Sequence, residues 1–179
     1  AMIAWMLFAL GRDPSFIIGS TLINLRTNAR AGKGMPFVIE ADEYDRMFLG
    51  LKPFLAIVTN IEHDHPDCYP TFADMLAAFE AFVNLVPADG TLIACMDDPA
   101  AAALLHSARK AGKSVLAYGL QGENTLNAPQ WTLARNLKPN SRGGFDFEAI
   151  SNLFPETQTI PVSLQVPGKH NVQNSLAAL

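Results

Sequence analysis

Cysteine is scarce, with only Cys68 and Cys95 in 179 residues. They stand far apart and in no metal-ligand spacing, which argues against a disulfide scaffold or a cysteine zinc site. Reduced thiols in a cytoplasmic protein are the simpler expectation. Charge is sparse too: 17% of residues, with a net charge of −4, which offers little to a nucleic-acid backbone. No run comes near the ~20 apolar residues of a membrane span. The apolar start, Ala1–Leu10, lacks a basic leader and a cleavage site. Neither nucleic acid nor membrane is an expected partner, and no internal repeat or low-complexity segment is found.

What is present is 49% hydrophobic residues, enough for one globular domain with a real core. The chain opens without Met, in mid-helix by pattern, and stops inside an alanine-rich run, as expected of a piece of a longer protein. Ala1–Leu10 is apolar almost all round and reads as a helix buried against a sheet, with Gly11 as its cap. Phe16-Ile17-Ile18 reads as a strand ended by Gly19, and Ser20–Gly34 as a surface loop or short ribbon. Phe37–Ile39 and Leu55–Val58 read as short buried strands.

Thr71 with Asp74 three residues on resembles a helix cap, and Phe72, Leu76, Phe79, Val83 and Val86 fall near helical spacing on one face. Thr91–Cys95 is a strand, Asp98-Pro99 starts a helix to about Lys110, and Ser114–Tyr118 is the next strand. This rhythm predicts an α/β fold with a mainly parallel sheet flanked by helices over residues 1–119. A small antiparallel β subdomain is expected over 120–167, from strands at Thr125–Ala134, Gly144–Ile150 and Thr157–Val166. A last helix begins near Asn171, in 168–179.

Three segments carry the chemistry. Phe37–Ile39 breaks into Glu40-Ala41-Asp42-Glu43, with Asp45 beyond. An acid closing a strand is often only a turn residue, but so many carboxylates in a short loop repel one another unless a cation neutralises them. Leu55–Val58 breaks into Thr59-Asn60-Ile61-Glu62-His63-Asp64-His65. If the two strands are neighbours, a carboxylate and an imidazole share the crevice beyond their carboxyl ends, where open sheets bind ligands. His63 and His65 can form a zinc pair, the basis of a metal-dependent hydrolase using His63, Asp64 and His65, yet no further His or Cys completes the set. His106 is expected on a helix surface. One imidazole with carboxylate and phosphate oxygens suits Mg²⁺ or Mn²⁺ better. Asn60 reads equally well as a strand-end amide tied to backbone. In the third segment, Asn171 and Asn174 share a helix face and can pair with adenine, although Asn171 can also be an ordinary cap.

Together, Glu40-Ala41-Asp42-Glu43-Tyr44-Asp45, Thr59-Asn60-Ile61-Glu62-His63-Asp64-His65-Pro66-Asp67 and Gly168-Lys169-His170-Asn171-Val172-Gln173-Asn174 resemble the Mur ligases. These are ATP-dependent enzymes of peptidoglycan precursor synthesis, and the segments follow the family's order and approximate spacing over nearly the whole chain. The resemblance is to the central, P-loop NTPase-like ATPase domain. It is greatest to the branch that joins L-alanine to UDP-N-acetylmuramate, and a branch that recycles a muramyl tripeptide has a similar acidic hexad.

The resemblance implies that Glu40 and His65 hold Mg²⁺ against the phosphates of ATP, that Asn60 lines that site, and that His170, Asn171 and Asn174 meet the adenine. It also implies an acyl phosphate that an amine converts to an amide. Glu43 and Asp42 can support a second metal or the amine. A non-catalytic relative that keeps the fold is the remaining alternative. Departures from the family pattern are clear. No Gly-x-x-x-x-Gly-Lys-[Ser/Thr] loop occurs, and the UDP-binding and C-terminal domains of the family have no counterpart in the 179 residues. The helix Thr71–Val86 has no lysine to carry the carbamate that some branches use, and Glu80 is the substitute considered.

Overall fold

The computed structural model describes residues 1–120, 127–154 and 156–179. Two compact units emerge, Ala1–Glu43 and Tyr44–Ala177.

In the first unit, helix α1 (Met2–Ala9) packs on strand β1 (Ser15–Leu22), which is flanked by β2 (Thr27–Arg30) and β3 (Phe37–Ile39). β1 runs antiparallel to β2 and parallel to β3. Ala4, Phe16, Ile18 and Leu22 form its core, with Val38 packed against them. Two expectations change here. The strand expected to end at Gly19 runs on to Leu22, so Ser20–Gly34 is largely a β-ribbon. Only Ala4 of α1 is fully buried and Leu10 stays exposed, because a helix meets a sheet along one face only.

The second unit is a six-stranded sheet in the order β4 to β9: Leu55–Val58, Thr91–Cys95, Ser114–Gly119, Trp131–Pro139, Phe145–Ser151 and Gln158–Ser163. β4 to β7 pair in parallel, while β8 and β9 add antiparallel. The antiparallel strands expected after Gly119 are therefore joined edge-on to the parallel ones through β6 and β7. The strand expected at Thr125–Ala134 begins at Trp131; its first two residues lie outside the described ones.

Helix α2 (Phe72–Asn84) opens with a full capping box, in which the Thr71 hydroxyl accepts from the Asp74 amide and the Asp74 carboxylate accepts from the Thr71 amide. Its buried face is Met75, Ala78, Phe82 and Val83, rotated from the face expected through Phe72 and Leu76. Phe48 packs against the helix, stacking on Phe82 at 4.9 Å and meeting Phe79 edge-on at 5.3 Å. α3 (Pro99–Lys110) starts where the Asp98 carboxylate accepts from the Ala101 amide and leaves His106 exposed. The last helix, α4 (Lys169–Leu176), buries Val172 and Leu176 against Cys95, Tyr118 and Phe147. No helix among the described residues is long and apolar enough to cross a membrane.

Candidate functional site

Parallel register builds the site. Val58, Ala94 and Ala117 are cross-strand partners, so β4, β5 and β6 end at one level. Each run turns polar there, and a cavity of about 460 Å³ opens beyond the ends. Thr59, Asn60 and Glu62 line it from β4, Cys95, Asp97 and Asp98 from β5, Tyr118 from β6, and His170, Gln173 and Asn174 from α4. The second and third chemistry-bearing segments of the sequence thus meet in one cavity.

Asp97 organises its far wall. One carboxylate oxygen accepts from the Leu120 amide and from the Gln173 side-chain amide, each at 2.7 Å. Asn60 accepts from the Thr59 hydroxyl at 3.2 Å and donates to Glu62 at 3.4 Å. α4 begins at Gly168 with φ 94°, and a Cβ there would stand 2.4 Å from the His170 ring, so glycine alone fits the entry. Asn174 and His170 line the cavity. Asn171 does not line it: its amide donates to the Pro167 carbonyl at 2.6 Å, bracing the start of the helix.

Asp97 and Tyr118 carry no sequence motif, and Gln173 stands inside the third segment without a role of its own there. The only signal for Asp97 was its place just past an apolar strand, the same signal that marked Glu40.

The loop after β4 folds on itself. His63 donates through Nε2 to the Tyr69 carbonyl at 2.8 Å, and the His65 carbonyl accepts from the Cys68 and Tyr69 amides. His65 takes φ 53°, its amide bonds the Asp64 carboxylate at 2.7 Å, and the Tyr44 ring meets its imidazole edge-on at 5.1 Å. The Tyr44 hydroxyl donates to Asp67 at 3.1 Å, and that bond holds the phenol above its ordinary pKa.

Glu40 belongs to the first unit. Its amide donates to the Ile17 carbonyl at 2.9 Å, and its carboxylate lies so close over Gly19 that a Cβ there would stand 2.9 Å from Oε1. Glu43 is half-buried, and Glu80 is exposed on α2.

Among the described residues no three His, Cys, Asp or Glu side chains gather closely enough to hold a metal by themselves. His63 is already committed to backbone, so the zinc-hydrolase reading has no ligand set. Magnesium differs: it keeps waters and is held by one or two side chains plus phosphate oxygens. The exposed carboxylate of Glu40 and the part-exposed imidazole of His65 fit that role as individual donors.

Sheet and cavity define an open-sheet α/β domain with a polar site beyond its parallel strand ends. The chain belongs to the Mur ligase family, whose middle-domain model matches residues 22–179. A UDP-N-acetylmuramate–L-alanine ligase of Renibacterium salmoninarum is 43% identical over 178 residues, 99% of this chain and 36% of that protein. Among solved structures, a UDP-N-acetylmuramate:L-alanyl-gamma-D-glutamyl-meso-diaminopimelate ligase from Neisseria meningitides matches with a TM-score of 0.77 at 24% identity. It covers 99% of this chain and 54% of that one. A UDP-N-acetylmuramate-alanine ligase from Thermotoga maritima matches with a TM-score of 0.75, also at 24% identity, over 99% of this chain and 36% of that one. At that identity the structures establish the fold. The chain spans about a third of the length of the curated relatives it matches.

Proposed function

We propose that this chain is the ATP-binding middle domain of a ligase that joins L-alanine to UDP-N-acetylmuramate through an acyl phosphate. The observation that carries the reading is the cavity in which Asn60 and the His170–Asn174 segment meet beyond three parallel strands. The 43% identity to a ligase of that name supports the substrate pair. A cytoplasmic location goes with it, since ATP is the co-substrate.

In this reading ATP phosphorylates the lactyl carboxylate, the amine of L-alanine attacks the acyl phosphate, and the tetrahedral intermediate expels phosphate to leave an amide. Mg²⁺ (or Mn²⁺) supplies charge neutralisation as the γ-phosphoryl group moves. Glu40 and His65 are the side chains proposed to hold it. Asn60, braced between Thr59 and Glu62, lines the nucleotide side, and His170 and Asn174 face the base, with Asn171 holding the turn that presents them. Glu43 and Asp42 are assigned to a second cation or the incoming amine. The 179 residues have no Gly-x-x-x-x-Gly-Lys-[Ser/Thr] motif, since Gly112-Lys113-Ser114 lacks the first glycine, so ligation by this chain alone is expected to be negligible.

The test follows phosphate release from ATP by the full-length ligase with UDP-N-acetylmuramate, offering L-alanine in one reaction and muramyl tripeptide in the other. Turnover with L-alanine alone supports the proposal. Turnover with tripeptide alone would make it the recycling ligase, and inactivity with both would overturn the substrate assignment.

A further inference from the structure

The acidic segment ends in a strained turn. Asp45 and Arg46 are consecutive non-glycine residues at φ 50° and 56°, in the left-handed region, a cost that surrounding contacts must offset. From this turn two side chains reach the loop after β4. The Tyr44 hydroxyl donates to Asp67, 23 positions on, at 3.1 Å, and the Arg46 guanidinium lies 5.8 Å from the centre of the Tyr69 ring. Tyr69 is fully buried, and its amide donates to the His65 carbonyl, so these contacts brace the backbone next to His65.

The Tyr44 ring itself meets the His65 imidazole edge-on, with centroids 5.1 Å apart and planes at 74°. An imidazole turns about two side-chain bonds, and one that binds a metal needs a partner to fix its plane. The Asp64 carboxylate stands 3.9 Å from Nε2, beyond a hydrogen bond. Tyr44 is 44% exposed, so burial of apolar surface is a weak reason for a large aromatic ring at this place. The ring borders an imidazole whose side chain stays 31% exposed, restrained yet open to a ligand.

We propose that Tyr44 is a positioning residue for His65: its ring sets the imidazole plane toward a divalent cation, and its hydroxyl anchors that ring on Asp67. This rests on the cation role given to His65 above.

The experiment measures the Mn²⁺ affinity of the ADP-loaded full-length ligase from the free-ion electron paramagnetic resonance signal, with thermal unfolding as the check on folding. Tyr44→Ala should weaken Mn²⁺ binding about tenfold. Tyr44→Phe, which keeps the ring and loses the anchor, should fall between alanine and wild type. In a His65→Ala background, Tyr44→Ala should bring no further loss, because it acts only through that imidazole. Unchanged Mn²⁺ affinity in Tyr44→Ala would overturn the inference, as would a loss of the same size with or without His65, the pattern of a merely structural residue. Should the alanine variant not fold, Tyr44→Leu fills the space without an aromatic edge and carries the same expectations. A His65→Ala variant that binds Mn²⁺ as tightly as wild type would remove the cation reading and this inference together. A loss in His65→Ala without one in Tyr44→Ala would remove this inference alone.

Discussion

The Gln173 side chain donates to the Asp97 carboxylate at 2.7 Å, a bond between residues 76 positions apart that ties α4 to the end of β5. The same oxygen receives the Leu120 amide from the end of β6. One carboxylate thus holds three elements that border the cavity.

Asp97→Ala should leave both donors without an acceptor and destabilise the chain by about 1–3 kcal/mol, read by urea denaturation. Asp97→Asn keeps an acceptor oxygen and should cost less. An alanine variant as stable as wild type would show that solvent replaces the carboxylate freely.

Thr71→Ala should cost about 1 kcal/mol, because it removes the hydroxyl half of the α2 capping box. The site lies on other elements, so ADP affinity should not change. A loss of affinity matching the loss of stability would contradict that independence.

Stability should also fall in acid. Hydrogen bonds from Thr71 hold the Asp74 carboxyl below its ordinary pKa, the Lys33 amide and Arg30 do so for Asp13, and Ser163 and Asn140 for Asp146. A depressed folded value means that the stabilising contribution is present above the unfolded carboxylate value of about 3.9 and is lost as pH falls through the folded one. The unfolding midpoint should be flat from neutral pH to about pH 5 with respect to these groups and decline below about pH 4. Thr71→Ala should make that decline shallower.

Glu40→Gln, made in the full-length ligase, should preserve the fold and abolish most phosphate release, since a neutral amide cannot balance a divalent cation. Gly19→Ala should act on the same carboxylate from beneath, because its Cβ would press on Glu40 Oε1, and should lower turnover less severely. Near-normal turnover of Glu40→Gln would remove Glu40 from the cation site.

The two histidines of the loop should separate cleanly. His63→Ala loses the bond to the Tyr69 carbonyl and should reduce stability by about 1 kcal/mol while keeping measurable turnover. His65→Ala should leave stability nearly unchanged and raise the Mg²⁺ concentration needed for turnover. The reverse pattern would exchange their roles.

Much of this protein is written locally. The apolar runs Phe37–Ile39 and Leu55–Val58, the Thr71/Asp74 and Asp98-Pro99 helix starts and the polar residues that follow each strand depend on near neighbours in the chain, so sequence alone determined them. The family motifs were legible for the same reason, as contiguous segments in a recognisable order.

Tertiary structure decided what depends on register and on long-range contact. Gly19 reads as a strand end in sequence, yet it lies within β1, with the Glu40 carboxylate seated over it. The buried face of α2 keeps the expected Val83 but takes in Met75, Ala78 and Phe82, and the stacking of Phe48 on Phe82 is a ring contact that helical periodicity does not contain. The pairing of Cys95 with Tyr118 and the bond from Asp97 to Gln173 exist only because parallel strands align their carboxyl ends, and no spacing in the sequence records that alignment. Sequence determined the elements and the family; the packing of distant side chains decided the cavity, because hydrogen bonds and burial join residues by distance in space and not by position along the chain.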